Sequence, residues 1–69
     1  MNFEIEYEQE ADGRWLAEVI NLPGVLAYGS NKDNAIGKAE TLALRVLADR
    51  IEANDSRPFP IHIGFATAT

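Results

Sequence analysis

The sequence predicts an α+β domain in which an antiparallel sheet is covered on one face by a single long helix, in the order β-β-β-α-β. Three observations carry this expectation. Phe3, Ile5 and Tyr7 alternate with Glu4, Glu6 and Glu8, the period of two that writes a strand with one buried and one wet face. Ala35, Ile36, Ala39, Leu42, Ala43, Val46 and Leu47 fall at the i, i+3, i+4, i+7 spacing of a helix with one broad apolar stripe. Around these segments Gly, Pro, Asn and Asp gather at the points where short strands would turn.

The first strand is expected over about 2–9. Glu10-Ala11-Asp12-Gly13 supplies the turn, with Gly13 free to take a positive φ. A second strand runs from Arg14 to Ile20, with Trp15, Ala17 and Val19 on one face and Arg14, Leu16, Glu18 and Ile20 on the other. Leu22-Pro23-Gly24, after Asn21, marks a turn or bulge. Val25 to Gly29 reads as a third strand whose alternation is too weak to say which side chains point inward.

Ser30 is the expected helix N-cap, with Asp33 reaching back toward it, and the helix starts at Asn31. Gly37 lies off the apolar stripe and costs about 1 kcal/mol relative to Ala. Leu44 and Ile51 lie at the stripe's edge, so either a long sheet or the last strand covers them, or they contact another subunit together with Phe59 and Ile61. Asn54-Asp55-Ser56 and Arg57-Pro58 end the helix. Phe59, Ile61, Ile63 and Phe65 alternate as a fourth strand, with Pro58 and Pro60 placing its start at an edge, and Ala66 to Thr69 forms a frayed tail.

A chain of 69 residues is one domain over 1–69 and buries only about 60% of the surface its unfolded form exposes. Small chains compensate with disulfides, metals or oligomerisation, and this one has no cysteine and a single histidine, His62. A homo-oligomer, dimer or tetramer, or a partner chain is the expected remedy. The opening segment has no basic region followed by an apolar run, and no stretch reaches the roughly 18 apolar residues of a membrane span, so a cytoplasmic setting without membrane contact is expected.

The net charge of −5 is concentrated at one end: through residue 20, Glu4, Glu6, Glu8, Glu10, Asp12 and Glu18 face Arg14 alone. From residue 21 onward five acids meet five bases. Such a patch repels phosphate backbones, so direct nucleic-acid binding is disfavoured and a basic protein partner is favoured, unless the charge serves only solubility.

Chemistry finds little support in these residues. His62 is far in sequence from Ser30 and Ser56, so no nucleophile with a base and an orienting third group emerges. Glu4, Glu6 and Glu8 stand some 6–7 Å apart along their strand, with Glu18 alone placed to join them, so neither a metal nor another cofactor is expected. Gly24 and Gly29 lack the spacing of a phosphate cradle. Trp15 is a core anchor in preference to a base-stacking platform, because its strand is acidic.

The run from Gly13 to Ser30, with Trp15, the Leu22-Pro23-Gly24 turn, Gly29 and Ser30 before the Ala35 helix, resembles the N-terminal domain of the HicB-like antitoxins over roughly residues 3–53. The resemblance implies a reduced, catalytically empty relative of the ribonuclease H fold. It also implies a module that binds and neutralises a small basic HicA-type toxin that cleaves messenger RNA, often as a dimer or tetramer. Members of that family usually carry a C-terminal DNA-binding segment. The stretch through Thr69 contains no basic helix, so DNA-binding autoregulation is not expected.

Taken together, these readings predict a non-enzymatic interaction module whose outer face carries Glu4, Glu6, Glu8 and Glu18 for electrostatic encounter and Leu16 and Ile20 for apolar contact with the toxin. The alternative is a stand-alone homo-oligomeric domain that binds a small ligand or an unrelated protein.

Overall fold

A computed structural model describes residues 1–53 and 62–68. It consists of β1 (Asn2–Gln9), β2 (Trp15–Val19), β3 (Leu26–Gly29), α1 (Lys32–Ala53) and β4 (Gly64–Ala68), so the order β-β-β-α-β is found. The strands form one sheet in the order β3-β2-β1-β4.

The first two connections are set by local chemistry. Glu10 N–H donates to Arg14 O, and Gly13, at φ 94°, donates to Glu10 O at 3.0 Å, closing the β1–β2 hairpin. Leu22-Pro23-Gly24-Val25 is a type II turn: Pro23 presets the first central φ, Gly24 takes the required positive φ of 81°, and Val25 N–H donates to Leu22 O at 3.1 Å. Asn21 extends the β1–β2 ladder with its side chain, its Oδ1 accepting from Glu4 N–H at 2.8 Å.

The expectation of a wholly antiparallel sheet is corrected. β1 with β2 and β2 with β3 are antiparallel, but β4 runs parallel to β1, with Asn2 opposite Gly64 and Ile5 opposite Thr67. The reason lies in the helix. β1 and β3 share a direction because both oppose β2, and α1 carries the chain back along the sheet by roughly 33 Å, at 1.5 Å per residue. The next strand therefore starts at the end where β1 starts, which makes it parallel to β1. A mixed sheet results.

The expected frayed tail is also corrected, since Ala66 to Ala68 are the body of β4 and pair with Glu4, Ile5 and Glu6. Ile63, expected inside the fourth strand, lies just ahead of it. Phe59 and Ile61, the Asn54–Pro58 helix end and Thr69 fall outside the described residues.

The helix begins one residue later than expected, and its cap is Asn31, not Ser30. Asn34 N–H donates to Asn31 Oδ1 at 2.8 Å, while Asn34 Oδ1 accepts from Ser30 N–H, one residue ahead of the cap, at 3.2 Å, a variant of the capping box. Asp33 makes no part of it, although a carboxylate in the first turn still favours the helix dipole.

The core lies between α1 and the inward faces of β1, β2 and β3. Phe3, Ile5, Ala17, Val19, Leu22, Val25, Ala35, Ala39, Ala43 and Leu47 are buried, and Ile36, Leu42 and Val46 pack against them, as the stripe predicts. Ala17 meets a helix ridge of Ala35, Ala39 and Ala43, all four fully buried. Small side chains on both surfaces let the helix axis approach the sheet closely, so the largest fully buried side chains are only Ile5 and Val19. Gly29 serves the same approach: a Cβ there would lie 2.8 Å from Ala35 Cα, so its role is contact between backbones and not a turn.

Trp15 is half-buried and not a deep anchor; its ring pairs with Tyr7 at 6.2 Å between centroids. Phe3 stacks on Phe65 of β4 at 5.7 Å. Among the described residues no helix is long and apolar enough to cross a membrane.

Candidate functional site

The face of the sheet turned away from α1 is built by alternation. Phe3 and Ile5 point into the core, so Glu4, Glu6 and Glu8 point out, and all three are exposed. Ala17 and Val19 point in, which turns Leu16, Glu18 and Ile20 to the same outer side. The six residues expected to meet a partner therefore share one surface.

Strand register orders them into rows. Glu6 is opposite Glu18, and Glu18 is in turn opposite Leu26. Glu8 is opposite Leu16, which faces Tyr28. Ile20 N–H donates to Glu4 O at 3.0 Å, continuing the pairing beyond Val19. Directly opposed residues have Cβ atoms about 5 Å apart, so Glu4, Glu6 and Glu8 on β1 with Glu18 on β2 form an acidic side, next to the apolar side chains of Leu16 on β2, Ile20 just beyond it, and Leu26 and Tyr28 on β3.

Leu26 and Tyr28 are members of this face that the sequence reading left unassigned. They are 41% and 42% exposed, matching Ile20 at 42%. The signal that places them is the type II turn: it pairs Val19 N–H with Val25 O and so puts Leu26 opposite Glu18, on the outer side.

Arg14 closes one end of the apolar strip. Its Cζ lies 4.5 Å from the Tyr28 ring centroid, and its Nε donates to Asp12 Oδ2 at 2.7 Å. Its backbone N–H also donates to Asp12 Oδ1 at 3.0 Å. That amide first, and then the guanidinium, hold the Asp12 carboxyl below the usual aspartate range. Among the described residues this is the one ion pair, so the four glutamates of the face have no cation at salt-bridge distance there.

The other expected positions are dispersed. Leu44 is 45% exposed on the far side of α1, and Ile51 is half-buried near its end. His62 is exposed ahead of β4 and Ser30 is exposed before α1. Among the described residues no group of three or more acidic or imidazole side chains converges in metal-binding geometry. The arrangement suits recognition: several uncompensated negative charges beside a strip of exposed apolar side chains.

The chain matches no protein-family model, no curated protein and no solved structure.

Proposed function

We propose that the chain is a HicB-like antitoxin module, acting in the cytoplasm without catalysis of its own, whose outer sheet face binds and masks a small basic HicA-type toxin that cleaves messenger RNA. The single observation that supports this reading most is the placement of Glu4, Glu6, Glu8 and Glu18 on one exposed face directly beside Leu16, Ile20, Leu26 and Tyr28. Clustered negative charge accelerates encounter with a basic partner, and a central strip of aliphatic and aromatic side chains supplies affinity once water is expelled.

The ribonuclease H-like character of the fold belongs to the same proposal. Its support is the β-β-β-α-β order and the helical crossover that returns β4 alongside β1.

The experiment is binding to a HicA-type toxin by the double variant Glu6→Lys, Glu18→Lys. Two opposed lysines replace two opposed glutamates, so repulsion within the sheet is kept while the sign of the face changes. The association rate should fall by at least about tenfold at low salt, and the difference should narrow as salt is added. Equal rates for the two proteins at low salt would remove the electrostatic basis. Binding undiminished by Leu16→Ala with Tyr28→Ala would remove the apolar one.

A further inference from the structure

β3 closes one edge of the sheet with Leu26-Ala27-Tyr28-Gly29, a strand with no charge and no proline to blunt that edge. Val19 N–H donates to Val25 O at 2.9 Å, and the register pairs Ala17 with Ala27 and Trp15 with Gly29. Val25 and, by alternation, Ala27 and Gly29 therefore direct their backbone groups at β2, while Leu26 and Tyr28 direct their N–H and C=O groups away from the sheet. Among the described residues no strand lies on that side.

A basic flank of α1 runs beside the same edge. Asn34, Lys38, Thr41 and Arg45 recur at i, i+4, i+7 and i+11, one line along the helix. The line starts against β3: Asn34 Oδ1 accepts from Ser30 N–H and would stand 2.7 Å from a Cβ at Gly29. α1 packs on β3 and returns along it, so Lys38 and Arg45 follow Asn34 by about 6 and 17 Å, beside a strand roughly 10 Å long. A groove of about 580 Å³ on this flank is lined by Asn34, Gly37, Lys38, Thr41, Leu42 and Arg45, and no side chain at Gly37 fills it. Glu40 lies roughly 200° round the axis from Lys38, and Asp33, seven residues before it, shares its side, so acids and bases of this part of the helix are segregated.

We propose that this edge and flank bind an extended acidic segment of a partner protein, which adds to the sheet as a strand beside β3. Its backbone pairs with the outward N–H and C=O groups of Leu26 and Tyr28. Partner residues opposite those two place their side chains on the outer face, where Leu26 and Tyr28 are exposed and apolar contacts suit them. Partner residues opposite Val25, Ala27 and Gly29 place theirs on the helix side, toward Lys38 and Arg45.

Charge selects both the occupant and its orientation. On the outer face Glu18 is directly opposite Leu26, so a carboxylate there meets a like charge. The helix side offers two cations that, among the described residues, form no ion pair. The segment that fits thus alternates acidic residues, turned to the helix, with apolar ones turned to the outer face. This inference stands on the β3 edge and the helix flank and does not rest on the toxin reading.

The probe is the capped peptide Glu-Val-Glu-Val-Glu, titrated into the full chain at low salt. Amide exchange at Leu26 and Tyr28 should slow as peptide is added, while the amides of β4 at the other edge stay unaffected. The affinity should fall at least about fivefold when salt is raised to about 0.15 M, and Lys-Val-Lys-Val-Lys should leave Leu26 and Tyr28 unprotected. Lys38→Glu with Arg45→Glu changes two exposed side chains and should weaken peptide binding at least about tenfold with the circular dichroism of the parent retained. Leu26→Pro removes one outward N–H without breaking the ladder to β2 and should weaken it about fivefold. Unprotected Leu26 and Tyr28 at millimolar peptide, equal protection by the lysine peptide, or an affinity unchanged in the double variant overturns the proposal.

Discussion

Glu6 and Glu18 oppose each other across β1 and β2 on the exposed face, two like charges at directly paired positions. Directly opposed like charges cost a few tenths to about 1 kcal/mol, so this exposed acidic pair works against the stability of the domain. Glu18→Thr should therefore stabilise the chain by about 0.3–1 kcal/mol at low salt, with a smaller gain at high salt because the lost repulsion is already screened. Urea unfolding at two ionic strengths reads this. A variant no more stable than the parent at low salt would show that the two carboxylates splay apart.

The helix cap gives a sharper test of local chemistry, because two adjacent residues are both good capping types and only one is used. Asn31 Oδ1 accepts from Asn34 N–H, whereas no bond is made by the Ser30 hydroxyl to the helix start. Asn31→Ala should cost about 1 kcal/mol, and Ser30→Ala should change stability by less than about 0.5 kcal/mol. Thermal melts of the two variants decide between the positions, and the opposite ranking would return the cap to Ser30.

These two cases show what could be read ahead of the structure. The strict alternation of Phe3, Ile5 and Tyr7 with three glutamates made β1 and its charged outer face legible, because no other secondary structure separates those residues onto two sides. The alanine and leucine stripe made α1 legible for the same reason at a different period. The extent and direction of β4 were not legible from its residues: Ala66 and Ala68 carry little strand preference, and their order comes from pairing with Glu4 and Glu6, a tertiary effect. Six of the eight residues of the candidate site, the four glutamates, Leu16 and Ile20, were visible. Leu26 and Tyr28 were not, because a strand of four residues has too few alternations to set its phase without knowing the turn before it.

Asp12 supplies a prediction in pH. Its carboxyl is held below the usual aspartate range chiefly by the Arg14 backbone N–H, with the guanidinium adding to it. A group whose folded value is lowered contributes stability above its unfolded value, and that contribution disappears as pH falls through the folded value. The hairpin contact is thus complete at neutral pH and starts to weaken only below the range around pH 4 in which an unperturbed aspartate protonates. Carboxyl-carbon NMR titration should find Asp12 depressed in the parent and only partly restored in Arg14→Ala, since the amide remains. Full restoration in that variant would make the guanidinium the dominant cause.

Two glycines near the helix start should respond in opposite directions to the same substitution. Gly37 sits on the outer side of α1, where an added Cβ meets nothing within 4 Å. Alanine there removes a flexible residue from a helix interior at no steric cost, so Gly37→Ala should stabilise by about 0.5–1 kcal/mol. Gly29 has no such room: a Cβ would stand 2.7 Å from Asn34 Oδ1 and 2.8 Å from Ala35 Cα. The first of those atoms belongs to the cap, and the second is backbone that can move only by lifting α1 from β3, which would also loosen the contact of Ala35 and Ala39 with the sheet. Gly29→Ala should therefore destabilise by about 1–3 kcal/mol, the range of an overpacked core. Paired urea titrations separate the sites. A Gly29→Ala protein as stable as the parent would mean that the helix does not rest on β3 as closely as the buried alanine ridge requires.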